Sequence, residues 1–175
     1  MLQVQAGNAD AANMLVRRNF GRIAKYIARL VGRDRVSEDL AQDVFLQALT
    51  RAERYEPTAR VTTWLYRIAT NIALNHLKSA AVRHEASGTT PGTLETPAQD
   101  AAAPDHELTL AELRGRVAAA IDALPHNQRV ALTLFQYEDC SYEQIAEVLG
   151  VSIEAVRSLL LRARAALRRE LNDLA

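Results

Sequence analysis

The 175 residues contain a single cysteine, Cys140, which excludes an internal disulfide and a cysteine-rich metal site. Aromatic residues make up 5% of the chain, with 7 glycines and 5 prolines, too few for the many turns of an all-β protein. No uninterrupted apolar run reaches the roughly 18 residues that a membrane span requires. The start, MLQVQAGNAD, lacks the basic stretch and apolar run of a secretory signal. There is no Gly-rich phosphate loop and no His-Glu-x-x-His pair. The four histidines (His76, His84, His106 and His126) share no metal-ligand spacing. Cys140 follows Glu138 and Asp139, whose negative charge raises a thiol pKa and makes a poor nucleophile. No catalytic residue, metal or cofactor is therefore expected. What is abundant is Ala, Leu, Arg and Glu, which are helix formers. With 49% hydrophobic residues, the chain reads as all-α, soluble and cytoplasmic.

The formal net charge of zero hides an uneven distribution. Residues 1–86 carry 13 basic and 8 acidic groups, whereas residues 87–113 carry Glu95, Asp100, Asp105, Glu107 and Glu112 and no basic group. Arg157, Arg162, Arg164, Arg168 and Arg169 crowd into residues 152–171 against Glu154 and Glu170. A neutral chain does not coat nucleic acid unaided, but local basic faces suffice for phosphate contacts. The segment SGTTPGTLETPAQDAAAPD, residues 87–105, is rich in Ser, Gly, Thr and Pro and has almost no large apolar side chain. That composition is a linker's, dividing the chain into two pieces near the lower size limit for independent folding.

The first piece shows three or four helices. Met14, Leu15, Ile23, Ile27, Leu30 and Val31 recur at helical spacing up to Gly32. Ser37 is the expected N-cap of the next helix, with Glu38 and Asp39 in its first turn, and Leu40, Val44, Phe45, Ala48, Leu49 and Ala52 form its apolar stripe. The third runs from near Val61 to about Arg83 with Leu65, Ile68, Ile72 and Leu77 buried and Trp64 beside them. Its polar positions are Thr63, Arg67, Thr70, Asn71 and Asn75, and Tyr55 and Tyr66 add flat rings. Amides, hydroxyls, rings and a cation can hold unstacked bases, with Arg60 on a phosphate, and the same set also suits a plain solvated face. The second piece has a helix from Leu108 to Leu124 ahead of Pro125 and another from Asn127 to about Glu138. Ser141-Tyr142-Glu143-Gln144 is a capping-box pattern that opens a short helix to Leu149. Gly150 turns the chain, and Ser152 caps a longer helix to about Leu171. Short helix, Gly turn and Arg-rich helix make a helix-turn-helix. Ile145, Ala146, Leu149, Val151, Val156 and Leu160 should face inward, leaving Glu154, Arg157, Ser158, Leu161 and Arg162 outside. By residues alone, a free-standing dimeric duplex-DNA regulator and a helical adaptor without a DNA role both remain open.

Two sets of motifs carry a resemblance. Asp39-Leu40-Ala41-Gln42-Asp43-Val44-Phe45-Leu46 and Thr63-Trp64-Leu65-Tyr66-Arg67-Ile68-Ala69-Thr70-Asn71 resemble region 2 of the extracytoplasmic-function (ECF) sigma factors of the sigma-70 family. Leu124-Pro125, Ser141-Tyr142-Glu143-Gln144-Ile145-Ala146, Val156-Arg157-Ser158 and Arg162-Ala163-Arg164 resemble region 4. Together they cover residues 8–85 and 107–171. The resemblance implies two small helical domains. Residues 1–86 would be a three- or four-helix region 2, residues 107–175 a helix-turn-helix region 4, and residues 87–106 a flexible acidic linker. It implies that Asp39, Gln42 and Asp43 bind the clamp helices of the RNA polymerase β′ subunit. It also implies that Tyr55, Arg60, Arg67, Asn71 and Asn75 capture the −10 strand of promoter DNA, with a base flipped into a pocket. Trp64 fits the core rather than a wedge, because its neighbours Leu65 and Ile68 are apolar. Ser152, Arg157, Ser158, Leu161 and Arg162 would read the −35 element as duplex, with region 4 on the β flap of core polymerase. An anti-sigma factor would hold the two domains together. Three positions depart from the common pattern: Leu159 stands where many relatives carry a basic residue, Phe135 where some do, and Asn75 where many carry Asp.

Overall fold

In the computed structural model, residues 1–32, 34–58, 60–86 and 109–172 are described. The expected linker at 87–106 lies outside them. The first half has four α-helices, α1 (Leu2–Gln5), α2 (Ala9–Val31), α3 (Asp34–Thr50) and α4 (Val61–Ala86), with a 3-10 turn at Ala52–Arg54. The second has α5 (Leu110–Asp122), α6 (His126–Tyr137), α7 (Tyr142–Leu149) and α8 (Ile153–Glu170). Among the described residues no helix is long and apolar enough to cross a membrane.

Asn8 starts α2, its side-chain oxygen accepting from the Ala11 N–H at 3.0 Å, and Gly32 ends it in the left-handed region at φ 72°. Along α2, Ile23, Tyr26, Ile27 and Leu30 are buried at the i, i+3, i+4, i+7 spacing of one face. They pack on Ala41, Val44, Phe45 and Ala48 of α3 and on Leu65, Tyr66, Ala69 and Ala73 of α4. The small residues in these stripes let the helix axes approach, and Phe20 stacks on Phe45 with centroids 6.0 Å apart.

Two expectations fail here. Ser37 is not the N-cap of α3, which begins at Asp34. In a helix, positions 37, 41, 44 and 48 share one face, and Ser37 is 3% exposed beside Ala41, Val44 and Ala48. Its small side chain fills a core position rather than an end. Met14, read as part of the apolar stripe, is 49% exposed.

The same core cluster continues into the second half through Val130, Ala131, Leu134, Ile145, Ala146, Val148, Val156 and Leu160. A smaller cluster of Leu124, Leu132 and Ala163 ties the start and end of this half together.

Candidate nucleic-acid interface

The α7–α8 unit is built by local rules. The Ser141 hydroxyl accepts from the Gln144 N–H at 3.3 Å while Gln144 Oε1 accepts from the Ser141 N–H at 2.8 Å, a complete capping box. Gly150 closes α7 at φ 66°, and the Ser152 hydroxyl accepts from the Ala155 N–H at 3.2 Å to start α8. Ser152, expected to touch DNA, thus has its oxygen engaged in the cap. Val156, Leu160 and Ala163 are buried, which turns Arg157, Leu161 and Arg162 to solvent. Leu161 is 70% exposed. Arg162 donates through Nε and Nη2 to the Ser158 hydroxyl, at 3.2 and 2.7 Å, so the half-buried Ser158 sets the direction of that guanidinium. The Glu154 carboxyl is held below the ordinary carboxylate range by its own backbone N–H, the Ser152 hydroxyl and Arg157. Guanidinium groups in the first turns of such a helix suit guanine edges or phosphates, and an exposed leucine suits a thymine methyl. Two of the unusual positions are absorbed by packing. Leu159 lies partly buried against the core. Phe135 stacks near Tyr142 and carries the Arg164 guanidinium 5.3 Å above its ring.

On α3, Asp39, Gln42 and Asp43 are exposed together. The structure adds Leu46 to them, 63% exposed and one turn beyond Gln42 and Asp43. Its spacing was the available signal, since it falls outside the buried stripe.

The polar positions of α4 divide between two faces. Arg67, Asn71 and Asn75 form an exposed row at four-residue spacing, with Arg60 exposed ahead of the helix. Thr63, Tyr66 and Thr70 are almost fully buried, at 1%, 1% and 2%, and do not join that face. The Thr70 hydroxyl and the Tyr26 phenol share a 2.6 Å hydrogen bond inside the core. Tyr55 is 8% exposed, edge-on to Trp64 at 5.5 Å between centroids. The indole is partly buried against the core, as expected.

Sequence reasoning passed over Glu138 except as a neighbour of Cys140. It is 5% exposed and receives three side chains of the first half. Arg22 Nε donates to Oε2 at 2.8 Å and its Nη2 to the Glu138 backbone oxygen at 3.0 Å. Arg29 Nη1 donates to Oε1 at 3.3 Å, and the Tyr66 hydroxyl donates to Oε2. Burial and this hydrogen bond push the Tyr66 phenol far up, so it stays a neutral donor. The bond to Glu138 also raises the Arg22 pKa. Arg129 Nη1 reaches the Leu30 oxygen at 3.0 Å, and Gln144 Nε2 reaches the Thr63 hydroxyl at 3.4 Å. A cleft beside this seam is lined by Arg60, Thr63, Phe135, Asp139, Ser141 and Gln144. Cys140, buried nearby, has its pKa pushed up to about 11, first by burial, with Glu138 and Asp139 adding less.

A helix-turn-helix with an arginine-bearing outer face and a separate helical half with an amide row are matched by two domain families. Residues 15–83 match sigma-70 region 2, and residues 114–167 match sigma-70 region 4. The RNA polymerase sigma-H factor of Pseudomonas aeruginosa is 33% identical over 98% of this chain and 92% of its own. The chain belongs to the sigma-70 family, in its ECF group. An ECF sigma-E factor of Haemophilus influenzae is 32% identical over 98% of this chain and 93% of that protein. Among solved structures, CnrH in complex with the cytosolic domain of CnrY superposes with a TM-score of 0.73 at 23% identity, covering 99% of this chain and 96% of the other. The sigma factor RpoE of Bartonella quintana, in complex with the anti-sigma factor NepR, gives 0.71 at 21%, covering 91% and 96%. Both share the fold. A sigma factor is a transcription initiation factor rather than an enzyme.

Proposed function

We propose that this ECF sigma factor divides promoter recognition between its halves. Residues 1–86 take the −10 element and the polymerase clamp, residues 107–175 take the −35 element and the β flap, and residues 87–106 tether them. The observation that carries this reading is the presence of exposed, chemically different stripes on separate helices. Asp39, Gln42 and Asp43, joined by Leu46, form an acidic, amide-rich face suited to basic partner helices. Arg60, Arg67, Asn71 and Asn75 suit an unpaired strand, the amides meeting base edges and the cations phosphates. Tyr55 joins them by swinging its ring off Trp64. Holding a flipped base offsets the few kcal/mol that unstacking costs. Ser152, Arg157, Ser158, Leu161 and Arg162 suit duplex DNA in the major groove. The neutral net charge fits a chain that finds promoters only with polymerase, which supplies further phosphate contacts. Its place of action is the cytoplasm.

The chain is compact when held by an anti-sigma factor and extended on polymerase. The complexes of CnrH with the cytosolic domain of CnrY and of RpoE with the anti-sigma factor NepR support such a partner here. The Glu138 cluster and the Arg129–Leu30 hydrogen bond are the contacts that opening must break. Co-elution with core enzyme and promoter-dependent run-off transcription test the reading. Asp43→Lys should abolish co-elution. Arg157→Ala with Arg162→Ala should keep core binding and reduce initiation by about 30-fold or more, at roughly 1–3 kcal/mol for each of the two contacts. Unchanged initiation by the double variant contradicts the −35 assignment.

A further inference from the structure

Gln5 lies outside every stripe described so far, yet its side chain reaches 47 and 50 residues along the chain. Its Nε2 donates to the backbone oxygens of Ala52 and Tyr55, both at 2.9 Å. A carboxamide nitrogen carries two N–H groups, and here each has one carbonyl. The two oxygens belong to the first residue of the 3-10 turn Ala52–Arg54 and to the residue that closes it. The Tyr55 N–H already donates to the Ala52 oxygen at 3.0 Å. The Ala52 carbonyl is therefore held twice, by the turn itself and by Gln5, and the Tyr55 carbonyl by Gln5.

Gln5 is itself anchored. Its N–H donates to the Met1 oxygen at 2.9 Å, and just after it the Asn8 N–H donates to the Gln3 oxygen at 3.0 Å. Asn8 then caps α2. The amide is thus fixed to α2, the helix that packs on both α3 and α4. The Tyr55 ring rests on Trp64 in the first turn of α4, and exposed Arg60 precedes that helix, its oxygen accepting from the Trp64 N–H at 3.1 Å. By holding the Tyr55 carbonyl, Gln5 fixes where the Tyr55 ring meets Trp64 at the start of the α4 face.

We infer that Gln5 is a positioning residue for −10 strand selection, acting through the Ala52–Tyr55 turn without touching DNA. This rests on the reading of the α4 face given above. It makes the N-terminal turn a part of promoter specificity rather than of polymerase binding.

The test uses holoenzyme formed from core polymerase and full-length chain, with single-stranded DNA carrying ten randomised positions as probe. Bound DNA is sequenced and its enrichment over the starting pool measured. Gln5→Met keeps the length and apolar stem and removes the donor, while Gln5→Glu sets acceptors against two carbonyls. Asn71→Ala is the control for the face itself. The expected result is an enrichment reduced about tenfold in Gln5→Met, the scale of one or two lost hydrogen bonds, and reduced further in Gln5→Glu. Core affinity stays near wild type for Gln5→Met, and its melting temperature falls by only a few degrees. If Asn71→Ala lowers enrichment and Gln5→Met does not, the role of Gln5 is overturned and the reading of the face stands. If Asn71→Ala has no effect, the face is misread and the inference falls with it. A matching loss of core affinity in Gln5→Met also overturns it, because the residue would then serve the fold alone.

Discussion

Replacing Glu138 by alanine strands three donors at once, but not equally. The Arg22 and Arg29 side chains are 47% and 37% exposed and recover water, whereas the buried Tyr66 hydroxyl does not. The expected cost is about 1–3 kcal/mol, that of one unsatisfied buried polar group, read from urea denaturation. Glu138→Gln leaves an acceptor for Tyr66 and should cost less. Combining Tyr66→Phe with Glu138→Ala should be clearly less than additive, and strict additivity would deny the contact. Cys140 offers a second check at this scale. With its pKa pushed up to about 11 from an ordinary 9.0, the thiolate fraction at pH 8 is about 100-fold below that of a free thiol. Alkylation of the folded chain should be slowed at least that much and recover in urea. The raised thiol was legible in the acidic residues before it, but its larger cause, burial, was not. Glu138 itself was illegible because its partners lie 116, 109 and 72 residues away in sequence.

Helix ends were the most legible elements, because caps act within four residues. The Ser141–Gln144 box, Gly150 and the Ser152 cap stand as the sequence implies. Ser152→Ala should cost about 1 kcal/mol, measured by thermal denaturation, and should loosen the first turn of α8, where Arg157 sits. Between α6 and α7, Asp139 adopts φ 51°, a left-handed conformation that costs a residue with a Cβ roughly 1–2 kcal/mol. Asp139→Gly should therefore equal or exceed wild type in melting temperature while Asp139→Val falls below it. Equal melting of both variants would contradict a strained turn there. Helix faces were less legible than ends. Thr63 and Thr70 looked like members of one polar row on α4, with the Tyr66 ring added to it. They are buried because α2 and the second half cover that side, bringing Tyr26, Glu138 and Gln144 to their hydroxyls. Ser37 was misplaced for a related reason, since a small hydroxyl residue serves equally at a helix end and in a tight helix–helix contact.

At the scale of the whole molecule, composition and motif order sufficed for two helical halves, but nothing local announced that one apolar cluster runs through both. The seam adds ionic and hydrogen-bonded contacts to that cluster, so separating the halves exposes Tyr66, Glu138 and Cys140 together. Arg22→Ala with Arg29→Ala removes the charges opposing Glu138 and should raise the radius of gyration in solution scattering above that of the wild-type chain. An unchanged value would show that the remaining contacts, apolar and hydrogen-bonded, hold the halves together without those charges. The central claim concerns what the assembled molecule does. Its most direct test is transcription of genomic DNA by core polymerase with and without the purified chain, followed by mapping of transcript 5′ ends. The account predicts discrete new start sites sharing two upstream sequence elements, with the chain co-eluting with the enzyme. Failure to co-elute, or transcripts no different from those of core enzyme alone, would contradict it.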